Sequence, residues 1–187
     1  MTRLLDHWLD HPLAGPSLLG LGAVALPVLA PSSELFWVIG ILGLGYALWS
    51  ARGQSRWHAA APAIFIWALL ALELRFLGVL PGAVSTLLFY CVSFLVMAWL
   101  VPLTGLRRHV IGHVLALGLV ELLLVLFFWP INFPSRALVL TLAAVLGAEL
   151  IFFSETNSLS WRAFAPSLGF TAVAIGAIVG TADWFGF

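Results

Sequence analysis

The chain has 187 residues, of which 63% are hydrophobic and 9% charged. A soluble domain carries about 25% charged residues, and the mean hydropathy of +1.11 places this chain among polytopic membrane proteins. Eight arginines balance eight acids with no lysine at all, which excludes a retinal Schiff base and gives no net basic charge for a nucleic-acid partner.

The first dozen residues, MTRLLDHWLDHP, are too polar for the apolar core of a signal peptide. Leu4, Leu5, Trp8 and Leu9 recur at helical spacing. They predict a short amphipathic helix over residues 1–12, lying in the membrane interface and ended by Pro12. Asp6 and Asp10, with His7 and His11, are expected to form its solvated face.

A membrane helix needs about 20 mostly apolar residues. Seven stretches qualify and together make one transmembrane domain over residues 13–187: Leu13–Ala30, Leu35–Ser50, Ala59–Leu77, Ala83–Leu103, Val110–Trp129, Ala137–Ser154 and Ser167–Phe185. The second is short, so six spans remain an alternative. Hydrocarbon cannot satisfy backbone polar groups, and the runs lack the alternating polar residues of barrel strands. The fold class is therefore all-α, a bundle of about seven transmembrane helices behind an interfacial N-terminal helix.

Arginine placement orients the bundle. With the N-terminus in the cytoplasm of a bacterial-type inner membrane, Arg3, Arg52, Arg56, Arg107, Arg108 and Arg162 fall inside, and Arg75 and Arg136 outside, as the positive-inside rule requires. His7, His11, His58, His109 and His113 then gather near the cytoplasmic face. Trp37, Trp49, Trp57, Trp99, Trp129, Trp161 and Trp184 lie near predicted helix ends, as an aromatic belt would. Glycines in LGLGAVAL, GILGLGY and GAIVGTADW read as close helix packing. Cys91, the single cysteine, reads as a small buried hydrophobe.

Three glutamates carry the functional argument. Glu121 falls about eleven residues into the fifth predicted span, and Glu149 about twelve into the antiparallel sixth. The two should share a depth near the bilayer midplane. Glu73 lies nearer the outer side of the third span. An acid at the centre of a membrane helix costs roughly 2.5–3.5 kcal/mol, so Glu73, Glu121 and Glu149 form a candidate intramembrane polar site. It would serve as a proton path, a substrate site or a contact with another subunit.

Arg107 and Arg108 are expected to meet anionic headgroups. They stand with His109 and His113 as cytoplasmic-face contacts to lipid or ligand. The two His-x-x-x-His pairs each share a helix face, but that spacing is common and no cysteine supports a metal site. No metal and no catalytic residue is assigned, and the sequence names no cofactor. No phosphate-binding loop, nucleophile elbow, zinc-protease motif or dinucleotide fingerprint is present.

The second half reads as an apolar helix, then PLTGLRRH, a helix ending LLLVLFFWPIN, and VLGAELIFFSETNSLSWRAFAP. This order resembles the CPBP family, the CAAX-protease-like glutamic intramembrane proteases. Thr156, Asn157, Ser158, Leu159 and Trp161 echo the family's Thr-Gly-Ser-Leu-Trp turn with one extra residue. The family's Glu-Glu-x-x-x-Arg motif should precede Arg107, but CVSFLVMAW stands there. The alternative LELRFLGVL keeps one glutamate, and Trp129 and Pro130 occupy the place of the motif histidine. The resemblance implies a non-catalytic relative.

The expected function is that of a non-enzymatic accessory or scaffold subunit, with membrane lipid and other membrane subunits as partners. A small proton-coupled transporter using Glu121 and Glu149 is one alternative. A membrane enzyme acting on a lipid or isoprenoid is another.

Overall fold

The computed structural model describes residues 2–29, 34–52, 56–78, 81–101, 103–129, 131–155 and 161–180. Within them lie eight helices: α1 (Thr2–Asp10), α2 (Ala14–Leu29), α3 (Glu34–Ser50), α4 (Arg56–Phe76), α5 (Gly82–Leu100), α6 (Gly105–Leu126), α7 (Phe133–Glu155) and α8 (Trp161–Gly180). The side chains of Arg3, Leu4, Trp57, His58, Trp161 and Arg162, the turn 156–160, and Trp184 lie outside the described residues. Parts of the topology and of the family resemblance rest on them.

Four helices are long and apolar enough to cross a membrane, in α4, α5, α6 and α7. α6 has 22 residues and α7 has 23, about 33 and 35 Å at 1.5 Å per residue. Both exceed the roughly 30 Å of a hydrocarbon core. α2 and α3 are apolar but have only 16 and 17 residues, and the apolar part of α8 is 15 residues, Phe164–Ile178.

Several boundaries differ from expectation. α6 begins at Gly105 rather than Val110, and α7 at Phe133 rather than Ala137. Hydropathy finds only the oily part of a helix, whereas the hydrogen-bonded ladder continues into polar residues at its ends. The start of α7 has a local cause. The Ser135 amide donates to Asn132 Oδ1 at 2.9 Å, so Asn132 caps the helix, and Pro134 sits in the first turn where its missing N–H costs nothing. α4 stops where Gly78 takes φ +66°, a left-handed residue past the last turn.

α4 is the hub, packed against α2, α5 and α7. Its residues from Ala59 to Phe76 are 72% buried, against 33% for α6 and for α7. Ala59, Ala60, Ala63, Ala68 and Ala71 are buried, with Ile64, Leu69, Leu70, Leu72 and Leu74 between them. Small residues on every side let three neighbours approach closely. α2 in turn lies tightly on α3: a Cβ on Gly40 would fall 2.6 Å from the Ala23 carbonyl oxygen.

Two expectations about single residues are corrected. Cys91 is exposed on α5, on the same helix face as the exposed Val84 and Leu87. Trp99 belongs to no belt at the membrane interface: it is 1% exposed, covered by the segment joining α1 to α2. A Cβ on Gly15 would lie 2.3 Å from its ring. Gly15→Val should therefore destabilise the bundle by about 1–3 kcal/mol, the usual cost of overpacking. Gly45→Ala, with nothing within 4 Å of the new carbon, should not lower stability. Thermal unfolding in detergent compares the two.

Candidate functional site

The polar residues collect at two places along the α4–α5–α6 assembly, one at each end. The first is where α1 docks. Leu9 is fully buried, and two acids one helical turn apart reach across to the start of α6. Asp6 Oδ1 lies 2.9 Å from His109 Nε2, and Asp10 Oδ1 lies 2.8 Å from Arg108 Nη1. Arg108 is 4% exposed and also donates from Nε to the Leu103 carbonyl. Arg56, at the head of α4, donates to the Trp99 carbonyl at 2.7 Å and lies over the Trp99 ring. Its guanidinium is held below the usual arginine range, first by burial and then by the like charge of Arg108, with Asp10 opposing. Trp99 Nε1–H donates to the His11 carbonyl.

Arg108 and His109 face the acids of α1, which are not a free solvated face. Arg107 is exposed, yet it pairs with Glu155 of α7 at 2.8 Å. Hydropathy treats α1 as a surface helix with water opposite its acids, while the fold sets two cations there. The signal was present: Asp6 and Asp10 share a face, and the orientation puts Arg108 and His109 on the same side of the membrane.

His113 has a different environment from the other histidines. Its Nδ1 lies 2.6 Å from Tyr90 Oη in a hydrogen bond, and its ring stacks on Phe94 with centroids 4.1 Å apart. Tyr90 stands eight residues from the start of α5 and His113 eight from the start of α6, about 12 Å inside each helix end. The pair therefore lies within the length of both helices, with Tyr90 half-buried and His113 on the outer face of α6. The two His-x-x-x-His pairs do not assemble. His7 and His11 are exposed, while His109 and His113 are engaged as described. Among the described residues no three His, Cys, Asp or Glu side chains gather as metal ligands would.

The second polar place is the end away from α1. A cavity of about 550 Å³ opens between α5 and α6, lined by Arg75, Thr86, Tyr90, Leu117 and Leu124 among others. Arg75 lies 3.7 Å above the Phe127 ring centroid. Nearby, Arg136 donates to the Trp129 carbonyl at 2.7 Å. Sequence reasoning counted Arg75 only as an outer-side charge and did not single out Tyr90. No pattern within one helix points to either, since the groove exists only once α5 and α6 pack.

The three glutamates do not meet. Glu121 is five residues from the end of α6, and Glu149 is sixteen from the start of α7. The two helix ends are joined by a short turn, so the carboxylates differ in depth by about 16 Å. Earlier helix starts move antiparallel residues in opposite directions, which undoes the expected shared midplane. Glu73 is 8% exposed and lies three residues from the end of α4. Glu149 is half-buried, and its Oε2 is enclosed without a hydrogen-bond partner among the described residues. Glu121 is exposed.

Compared with known proteins, the chain matches no family model, no curated protein and no solved structure.

The docking of α1 yields a graded expectation. Arg108→Gln removes a buried cation that serves both Asp10 and the Leu103 carbonyl, a loss of about 1–3 kcal/mol. Amide hydrogen exchange over residues 2–11 should accelerate by roughly tenfold or more. Asp10→Asn touches the exposed partner and should change exchange by less than about fivefold.

Proposed function

We propose that the chain is a non-enzymatic integral membrane component, an accessory or scaffold subunit that docks another membrane subunit on the outward face of α6. The observation that carries this reading is the position of Glu121. It shares the outward face of α6 with Val110, Val114 and Val125, which are exposed apolar residues. The buried face of α6, with Gly112, Ala116, Leu119 and Leu123, is opposite. A lone chain in a bilayer would hold this carboxylic acid against hydrocarbon, about 8 Å inside the helix end. A neighbouring subunit that offers a hydroxyl, an amide or a cation at that depth removes the penalty.

The separation of Glu73, Glu121 and Glu149 favours this reading over a carrier with one shared midplane site. Placing the N-terminus in the cytoplasm of a bacterial-type inner membrane fits it, because six of eight arginines then face inside. On the same reading the likeness to CPBP proteases is that of a non-catalytic relative. Arg108 is committed to Asp10 and Leu103, and Glu73 lies at the opposite end of the bundle from it.

Purification in mild detergent should bring down a stoichiometric membrane partner, and a photo-crosslinker at Val125 should capture that same protein. Glu121→Leu should weaken the association by about tenfold, one hydrogen bond to an acid, without lowering the thermal stability of the isolated chain. Glu121→Gln should keep much of it. A monodisperse single chain in native membranes, with no crosslink from Val125, overturns the reading.

A further inference from the structure

We propose that the groove between α5 and α6, at the end away from α1, binds a membrane phospholipid with a net negative headgroup, its phosphate on Arg75 and one acyl chain along the groove. This rests on an observation independent of Glu121. The groove, about 550 Å³, falls within the size range of ligand sites, and its walls are chiefly apolar.

The polar groups within it are nearly all satisfied by the protein. Thr86 Oγ1 donates to the Gly82 carbonyl at 2.8 Å, and Tyr90 and His113 serve each other at 2.6 Å. Arg75 is the exception. Its guanidinium makes no hydrogen bond or ion pair among the described residues and lies 3.7 Å over the Phe127 ring centroid. Gly82 lies beside it: a Cβ there would be in van der Waals contact with Arg75 Cζ, at 3.4 Å. A guanidinium half out of water, fixed in direction and without a counter-charge, is complementary to a phosphate, which it can meet with two parallel N–H donors. Its level matches, since Arg75 is one residue from the end of α4. The first turn of α5 has no side-chain cap, and its positive end opens on the same spot.

The source of the anion follows from the groove's open side. Leu87, Leu117 and Leu124 along its rim are 60%, 52% and 41% exposed, so entry is from the hydrocarbon. From Gly82 to Tyr90 the groove runs about 12 Å along α5, long enough for the upper half of an acyl chain. It ends at Tyr90.

The test is lipid retention by the full chain. Reconstitute it in equal phosphatidylglycerol and phosphatidylcholine, transfer it to detergent, and read bound lipid by native mass spectrometry. The wild type should keep one phosphatidylglycerol in clear preference. Arg75→Gln should lower that retention by about tenfold, and Arg75→Lys should keep the preference. Ala83→Trp, which fills the groove and leaves Arg75 in place, should abolish retention of both lipids; it decides the matter if Arg75→Gln does not fold. Glu121→Leu should not lower retention, which separates lipid from subunit docking. Equal retention of the two lipids, or phosphatidylglycerol bound as well by Arg75→Gln or Ala83→Trp as by the wild type, overturns the proposal. So does its displacement from the wild type by excess glycerol phosphate, which would mark an ion site with no role for the groove.

Discussion

α4 is enclosed by three neighbours, and the remaining helices take their places from that enclosure. Its alanines keep the interhelical distance short, and its leucines and isoleucines fill the spaces between. α2, α5 and α7 each lie directly on it. α3 is held through α2, and α6 chiefly through α5. This order explains why α6 and α7 are only a third buried: they form the outer wall on their side. Burial decreases outward from α4, and α6 and α7 carry most of the exposed apolar surface on their side, while the end of α4 itself brings Arg75 to the groove between α5 and α6.

The two ends of the assembly treat charge differently. Near α1 nearly every charge has a partner. Asp6 faces His109, Asp10 faces Arg108, and Arg107 faces Glu155. Exposed pairs of this kind contribute little, but Arg108 is buried, and a buried cation without its acceptors would be costly. The docking of α1 is thus as much a means of satisfying Arg108 as a consequence of burying Leu9. At the other end Arg75 and Arg136 rest on Phe127 and Phe133, and neither has an acid beside it among the described residues. Aromatic faces orient a guanidinium without neutralising it, so these charges remain available to something outside the bundle.

Glu121 and Arg75 illustrate one principle from two sides. Each is a polar group without a polar side-chain partner among the described residues, one on the outward face of α6 and the other at the mouth of a groove. In a low-dielectric environment such a group is costly alone and favourable once matched. The first reading assigns the match to a protein subunit and the second to a lipid.

The membrane class was legible in composition and the all-helical architecture in the apolar runs, because hydrocarbon admits only helices and closed barrels and the runs lack a barrel's alternation. The helical spacing of Leu4, Leu5, Trp8 and Leu9 marked α1, and Asn132 with Pro134 carried the start of α7 in local capping chemistry. What hydropathy could not supply was direction around a helix. Helices that are apolar on every side give no sign of which face is inward, so the outward aspect of Glu121, the burial of Trp99 and the exposure of Cys91 were decided by packing. The Asp10–Arg108 pair and the Arg75 groove join residues from separate helices. They come into being only when the helices settle at particular distances and rotations, because charge complementarity and cavity shape are properties of two surfaces at once.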